Sequence, residues 1–159
     1  MPFPQIEPLR QGRCLVFTNG CFDLLHKGHL HLLYWSRIEA AKGLTGEPFL
    51  IVGLNSDTSV KRLKGPNRPI QNEMTRLQNL RNYLYVDGVI IFREDTPEEL
   101  IRAIKPDVLV KGADYQEQNV IGADFVKGYN GRVAFCPMLE GISTTKILMG
   151  INHATTSGF

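Results

Sequence analysis

Residues 15–33 read LVFTNGCFDLLHKGHLHLL, and the rest of the chain is organised around them. The apolar run from Cys14 to Thr18 predicts a buried strand, Asn19-Gly20 a tight turn, and the residues from about His26 a helix. A strand feeding a helix through a glycine turn is the βα half of a parallel unit, and ligands collect at that junction. Gly20 lets the backbone approach a ligand, and Gly28 removes a side chain that would cover the first helical turn. His26 and His29 stand three apart, so one helix face presents both imidazoles beside the free N–H groups of the helix start. Two imidazoles and a helix N-terminus suit a polyphosphate.

With 159 residues, 43% hydrophobic and 21% charged, the chain suits one soluble domain whose core needs no staples. A formal charge of +2 argues against a nucleic-acid partner and leaves room for a local basic patch fitted to a small anion. The three cysteines, Cys14, Cys21 and Cys136, are odd in number and lack paired spacing, which speaks against a disulfide framework or a zinc site and for a reducing compartment. No apolar run has the length of a membrane span, and Met1 to Gln11 carries three prolines in place of a signal core. The expectation is a cytoplasmic protein with no membrane partner.

Outward from the first unit, the helix is expected to run through Leu30, Leu33, Tyr34, Ile38 and Ala41 to about Lys42-Gly43, with Trp35 in its packing. Phe49 to Leu54 predicts a second strand buried on both faces. Asn55 to Asn72 reads as a long functional loop with one helical turn near Thr58 to Leu63, and its cations Lys61, Arg62, Lys64 and Arg68 point to a second anionic substrate. Glu73 to Leu84 predicts a helix with Leu77, Leu80 and Leu84 facing in. Arg76 gains nothing from the dipole at that helix start, so an anion is expected beside it.

Val89 to Phe92 is strand three. Thr96-Pro97-Glu98-Glu99 predicts a capping box that opens a helix to about Ile104. Pro106 stops it before strand four, Asp107 to Val110. Asp114, past that strand's carboxyl end, is placed to accept from a ribose hydroxyl. Val120 to Gly131 reads as a helix-like turn and loop before strand five, Arg132 to Cys136. After Gly141, Ser143 or Thr144 caps a last helix, and their hydroxyls with its free N–H groups form a second anion cradle. The alternation predicts an α/β fold, a Rossmann-like doubly wound parallel sheet of five strands in a single domain. Residues 1–11 form a lead-in, 12–151 the domain and 152–159 a tail. A metal site on His26, His29 and His31 is disfavoured, because His31 lies off the shared face and no acidic or cysteine ligand is spaced to complete it.

The decad GCFDLLHKGH resembles the HxGH signature of the nucleotidyltransferase superfamily. Over roughly Gly12 to Ile151, the segments GLNSDTSVKRLKGPNRPI, YVDGVIIFREDTPEELI, KPDVLVKGADY and GISTTKI resemble the adenylyltransferases of bacterial heptose activation. The glycerol-3-phosphate cytidylyltransferases are the nearest rivals. They typically carry Arg-Thr-Glu-Gly where this chain has Met138-Leu139-Glu140-Gly141, and Gly-Asp-Asp-Trp where it has Gly112-Ala113-Asp114-Tyr115. Those departures disfavour CTP.

The resemblance implies transfer of AMP from ATP to D-glycero-β-D-manno-heptose 1-phosphate, giving ADP-heptose and pyrophosphate for lipopolysaccharide core synthesis. A separate heptose kinase would supply the sugar phosphate, and the protein would be a homo-oligomer, a dimer. His26 and His29 would be catalytic. Gly20, Cys21, Phe22, Gly28, Lys111, Gly112, Asp114, Ser143, Thr144 and Thr145 would bind nucleotide, and Asp23 would brace the turn. Asn55, Lys61, Arg62, Lys64, Arg68 and Arg76 are candidates for the sugar phosphate, of which two or three reach it. Mg²⁺ would accompany ATP, held mainly by phosphates and water with no dedicated protein metal site. A sensor that binds ATP without turnover is the alternative of another class.

Overall fold

The computed structural model describes residues 10–113 and 117–139 together with Leu148 and Gly150. Strands β1 (Cys14–Gly20), β2 (Pro48–Asn55), β3 (Gly88–Phe92), β4 (Val108–Gly112) and β5 (Arg132–Cys136) form one sheet in the order β3-β2-β1-β4-β5, with every pair parallel. Helices α1 (Lys27–Ile38), α2 (Asp57–Lys64), α3 (Glu73–Arg81), α4 (Glu98–Ile104) and α5 (Ala123–Gly128) make the connections. The fold is the expected doubly wound α/β sheet.

Side chains alternate across the sheet because a strand repeats every two residues. In β1, Cys14 and Val16 pack under α1 with Leu30, Leu33 and Leu80, while Leu15 and Phe17 join Leu100, Ile101, Ile104 and Val126 on the opposite face. Burial on both faces explains the unbroken apolar runs of β1, β2 and β4.

The strand order reverses between β1 and β4. β1 pairs with β2 over seven positions but with β4 over only Val16–Val108 and Phe17–Leu109, so the two central strands part toward their carboxyl ends. Side chains bridge the opening: Thr18 Oγ1 donates to the Val110 carbonyl at 2.9 Å, and Lys111 Nζ donates to Asn19 Oδ1. Such a parting at the switch point is where open α/β sheets hold ligands.

Several local expectations change. Asn19 and Gly20 are the last residues of β1, and the turn comes after them. α1 ends at Ile38, where Glu39 N–H closes on the Trp35 carbonyl, short of Lys42. The presumed long loop contains a full helix, α2, capped by Ser56 Oγ accepting from Ser59 N–H. α3 stops at Arg81 and Leu84 is 71% exposed, so Leu84 is no core residue. Asn82 N–H bonds Gln78 and Leu80 carbonyls, and this tightening of the last turn swings Leu84 away. The expected capping box at Thr96 does not form: α4 begins at Glu98 with no side-chain cap, and Thr96 Oγ1 is 3.4 Å from Glu98 N. The stretch after Val120 contains the short helix α5. At the amino end, Arg10 binds Asp107 and the carbonyls of Ile104 and Lys105 below β4, so the lead-in is stitched on from that point. Among the described residues no helix is long and apolar enough to cross a membrane.

Candidate nucleotide-binding site

The cleft at the carboxyl rim consists of two adjoining cavities that share Asn19, Gly20, Cys21, Leu32 and Lys64. One, of about 430 Å³, is also lined by Phe22, Asp23, His26, His29 and Arg68. The other, of about 320 Å³, is lined by Asn55, Asp95, Lys111 and Gly112. Together they lie over the parted ends of β1 and β4.

The first cavity owes its polar character to the way α1 begins. His26 is the N-cap, its Nδ1 accepting from Gly28 N–H at 3.0 Å, while His29 Nδ1 accepts from His26 N–H at 3.3 Å. This reciprocal arrangement has the logic of a capping box, with imidazoles in place of hydroxyl and carboxylate. Each Nδ1 is therefore an acceptor, and each ring keeps Nε2–H as its free donor. The rings stack with centroids 3.8 Å apart, and the edge of Phe22 meets His29 at 5.4 Å. A Cβ on Gly28 would lie 2.9 Å from His26 Cε1, so glycine makes room for the capping ring itself.

Burial, then His26 and Lys64, hold the His29 imidazole down to about 4, against an ordinary value of 6.5. At neutral pH His29 is an uncharged donor. The expected result in a ring-¹⁵N titration is a His29 signal that stays still from pH 8 to 5.5 and moves with a midpoint near 4; a midpoint near 6.5 would contradict this environment. The sign for stability follows: between about 4 and 6.5 the unfolded chain binds a proton that the folded one refuses, so this group's contribution falls as pH drops through that window.

The turn ahead of α1 is strained, with Phe22 at φ 48° and Leu24 at φ 58°. Bulky residues adopt the left-handed region only where surroundings force it, at about 1–3 kcal/mol each. Asp23, between them, accepts from Ile70 N–H at 2.7 Å, Gln71 N–H at 2.9 Å and Arg68 Nε at 3.3 Å. Burial pushes its carboxyl up, but these bonds outweigh it and hold the carboxyl below its ordinary range. Asp23 thus ties the turn to the 65–71 loop.

The basic residues separate by position. Lys64 lines both cavities and Arg68 the first. Lys111 lines the second, where burial holds its amine down to about 8. Asn55 is there too, its amide donating to Ser59 Oγ at 2.8 Å. Arg62 instead pairs with Asp95 at 2.7 Å and reaches the Arg93 carbonyl, and exposed Lys61 lines neither cavity. The anion beside Arg76 is the chain's own Asp57 carboxylate, and no face of the side chain is left open to a sugar phosphate. That side chain is 0% exposed, and it donates to the carbonyls of Gln71, Cys21 and Asn55 and to Asp57 Oδ1 at 2.8–2.9 Å. Its contacts tie Cys21, at the turn that lines the cavities, to Asn55, Asp57 and Gln71, so it braces the site from within the protein. Asp114, Ser143, Thr144 and Thr145 lie outside the described residues.

Asn19 and the Asp95–Pro97 loop were not singled out from sequence. Asn19 ends a strand, and Asp95 and Pro97 follow the carboxyl end of β3; both become visible once the strand order puts those ends on one rim. Among the described residues no group of three histidine, cysteine or acidic side chains could hold a metal ion. The cavity carboxylates Asp23 and Asp95 are both in ion pairs.

The geometry agrees with comparison to known proteins. Residues 17–149 match the family model described as cytidylyltransferase-like. The chain belongs to the cytidylyltransferase-like family. This cytidylyltransferase-like chain is 50% identical over 145 residues to the bifunctional protein HldE of Gluconobacter oxydans, covering 91% of this chain and 29% of that protein. It is 52% identical over 136 residues to the HldE of Acidiphilium cryptum, covering 86% and 26% respectively. It therefore spans under a third of the length of these relatives. Among solved structures, a lipopolysaccharide core biosynthesis protein from Thermoplasma volcanium superposes with a TM-score of 0.58 at 28% identity, covering 80% of this chain and 97% of that one. A pantoate-beta-alanine ligase from Francisella tularensis, complexed with beta-gamma ATP and beta-alanine, shares the fold at a TM-score of 0.51 and 17% identity, over 86% of this chain and 65% of that one. The cytidylyltransferase-like assignment places the chain among nucleotidyltransferases.

Proposed function

We propose that the protein transfers AMP from ATP to a heptose 1-phosphate, D-glycero-β-D-manno-heptose 1-phosphate, releasing pyrophosphate and forming ADP-heptose. The observation that carries this reading is the stacked His26–His29 pair, with both Nδ1 atoms held by backbone N–H groups and both Nε2–H donors left for the anion that fills a cavity shared with Lys64 and Arg68. The likeness to HldE proteins and to a lipopolysaccharide core biosynthesis protein supports the choice of sugar phosphate.

A sugar phosphate is largely a dianion at neutral pH, its second pKa being about 6 by analogy with phosphorylated side chains, so no strong general base is needed. Its oxygen attacks the α-phosphorus in line, the new O–P bond forms, and the bond to the bridging oxygen breaks as pyrophosphate leaves. His26 and His29 donate to phosphate oxygens whose charge grows in the transition state. Lys64, on the wall between the cavities, stands where the two anions meet. Ser143, Thr144 and Thr145 supply the second phosphate cradle, Asp114 the ribose contact, and the backbone of Cys21, Phe22 and Gly112 the nucleotide wall. The cavity carboxylates are already paired, so Mg²⁺ would come with the triphosphate, held by its oxygens and by water.

The test pairs each of ATP, CTP, GTP and UTP, with Mg²⁺, against heptose 1-phosphate and glycerol 3-phosphate, and reads pyrophosphate. The expected result is release with ATP and the heptose at least tenfold above every other pairing. Preference for CTP with glycerol 3-phosphate would establish the rival cytidylyltransferase activity, and ATP binding without pyrophosphate would make the protein a sensor.

A further inference from the structure

Helix α1 runs from the rim of the cleft to the far edge of the sheet, and a polar side chain pins it near each end. At the far end Arg37 Nε donates to Asp87 at 2.9 Å, and the same carboxylate accepts from Leu50 N–H at 2.7 Å, fastening the helix to the β2–β3 half. Near the rim His31, 4% exposed, places Nε2 at 2.7 Å from the Pro137 carbonyl, just past β5, and 3.3 Å from Cys136 Sγ at the strand's end. A carbonyl only accepts, so Nε2 carries the hydrogen that binds it, while Nδ1 is buried without a partner. Around His31 the helix rests on Leu30 and Leu33, whose apolar contacts are non-directional, and Tyr83 Oη donates to the Leu30 carbonyl at 3.4 Å.

We infer that His31 is a positioning residue, whose bond to Pro137 fixes the height of the His26–His29 pair over the cleft. It stands two residues, about 3 Å of helix rise, beyond His29. A displacement of about 1 Å in a group aligned for reaction costs on the order of a hundredfold in rate. The role rests on the proposed adenylyl transfer for its effect on rate, but not for its effect on geometry.

The experiment compares H31Q with H31N. The glutamine amide N–H reaches the place of Nε2, whereas the shorter asparagine reaches only the place of Nδ1. The expected result is that H31Q keeps kcat within threefold of wild type while H31N loses at least tenfold, at little change in KM for the heptose phosphate. In ring-¹⁵N spectra, which need no turnover, the His26 and His29 signals of H31N shift from the wild-type positions and those of H31Q do not. If the wild type releases no pyrophosphate, the functional proposal fails and the spectra still decide the role of His31. Should H31N not fold, H31Q decides alone, by keeping or losing wild-type kcat and ring signals. Equal kcat and equal ring signals in folded H31N and H31Q would overturn the inference.

Discussion

Replacing His29 by alanine lowers kcat for pyrophosphate release about a hundredfold while the protein stays folded. The magnitude is that of removing one preorganised donor from a site where charge develops. His29 is neutral at working pH and its Nδ1 is occupied by His26 N–H, so the function removed is the Nε2–H donor. H29N separates donor from cap: asparagine returns an acceptor near Nδ1 and has nothing at Nε2, so it falls as far as alanine while melting closer to wild type. Steady-state rates with thermal melts on the two variants check this. Retention of more than a tenth of the wild-type rate by H29A would remove His29 from the transition state.

The second large effect is on stability. Arg76→Ala lowers the melting temperature by on the order of 10 °C, because truncation strands the carbonyls of Cys21, Asn55 and Gln71 and the Asp57 carboxylate around a buried void. Breaking a buried pair costs about 3–5 kcal/mol, and each kcal/mol is worth roughly 2–4 °C in a chain of this size. R76K fails in the same measurement, since an ammonium cannot span acceptors arranged for a planar fork. The contrast is R62A, which breaks the exposed pair with Asp95 and shifts the melt by about 2 °C or less. A melt for R76A within 2 °C of wild type would refute the bracing role.

What could be read from sequence follows the physics of each signal. β1 and β2 were legible nearly to the residue, because strands buried on both faces are written as apolar runs, and β5, a half-buried edge strand, was legible to the residue as a short apolar run between Gly131 and Pro137. α2 was legible only as one turn near Thr58 to Leu63: DTSVKRLK buries only Ser59 and Val60, too little for a clear helical period, although Ser56 at its cap was a usable sign of its start. The cleft was legible from Gly20, His26, Gly28 and His29 because helix capping and phosphate binding require the same local pattern. Arg76 was not, since a guanidinium spent on carbonyls and one spent on phosphate look alike in one dimension. Its partners come from three segments, at Cys21, at Asn55 and Asp57, and at Gln71, that only the folded chain assembles. His31 was seen as lying off the face of His26 and His29, but its partner is 106 residues away.

The most direct test of the central claim is the ring-¹⁵N spectrum of His26 and His29 with and without an ATP analogue blocked at the α–β bridge. The expected spectrum shows Nε2–H for both residues before addition, and displacement of both Nε2 signals at saturation while the Nδ1 signals keep their acceptor positions. Binding of the analogue with neither ring perturbed, or rings protonated on Nδ1, would contradict it.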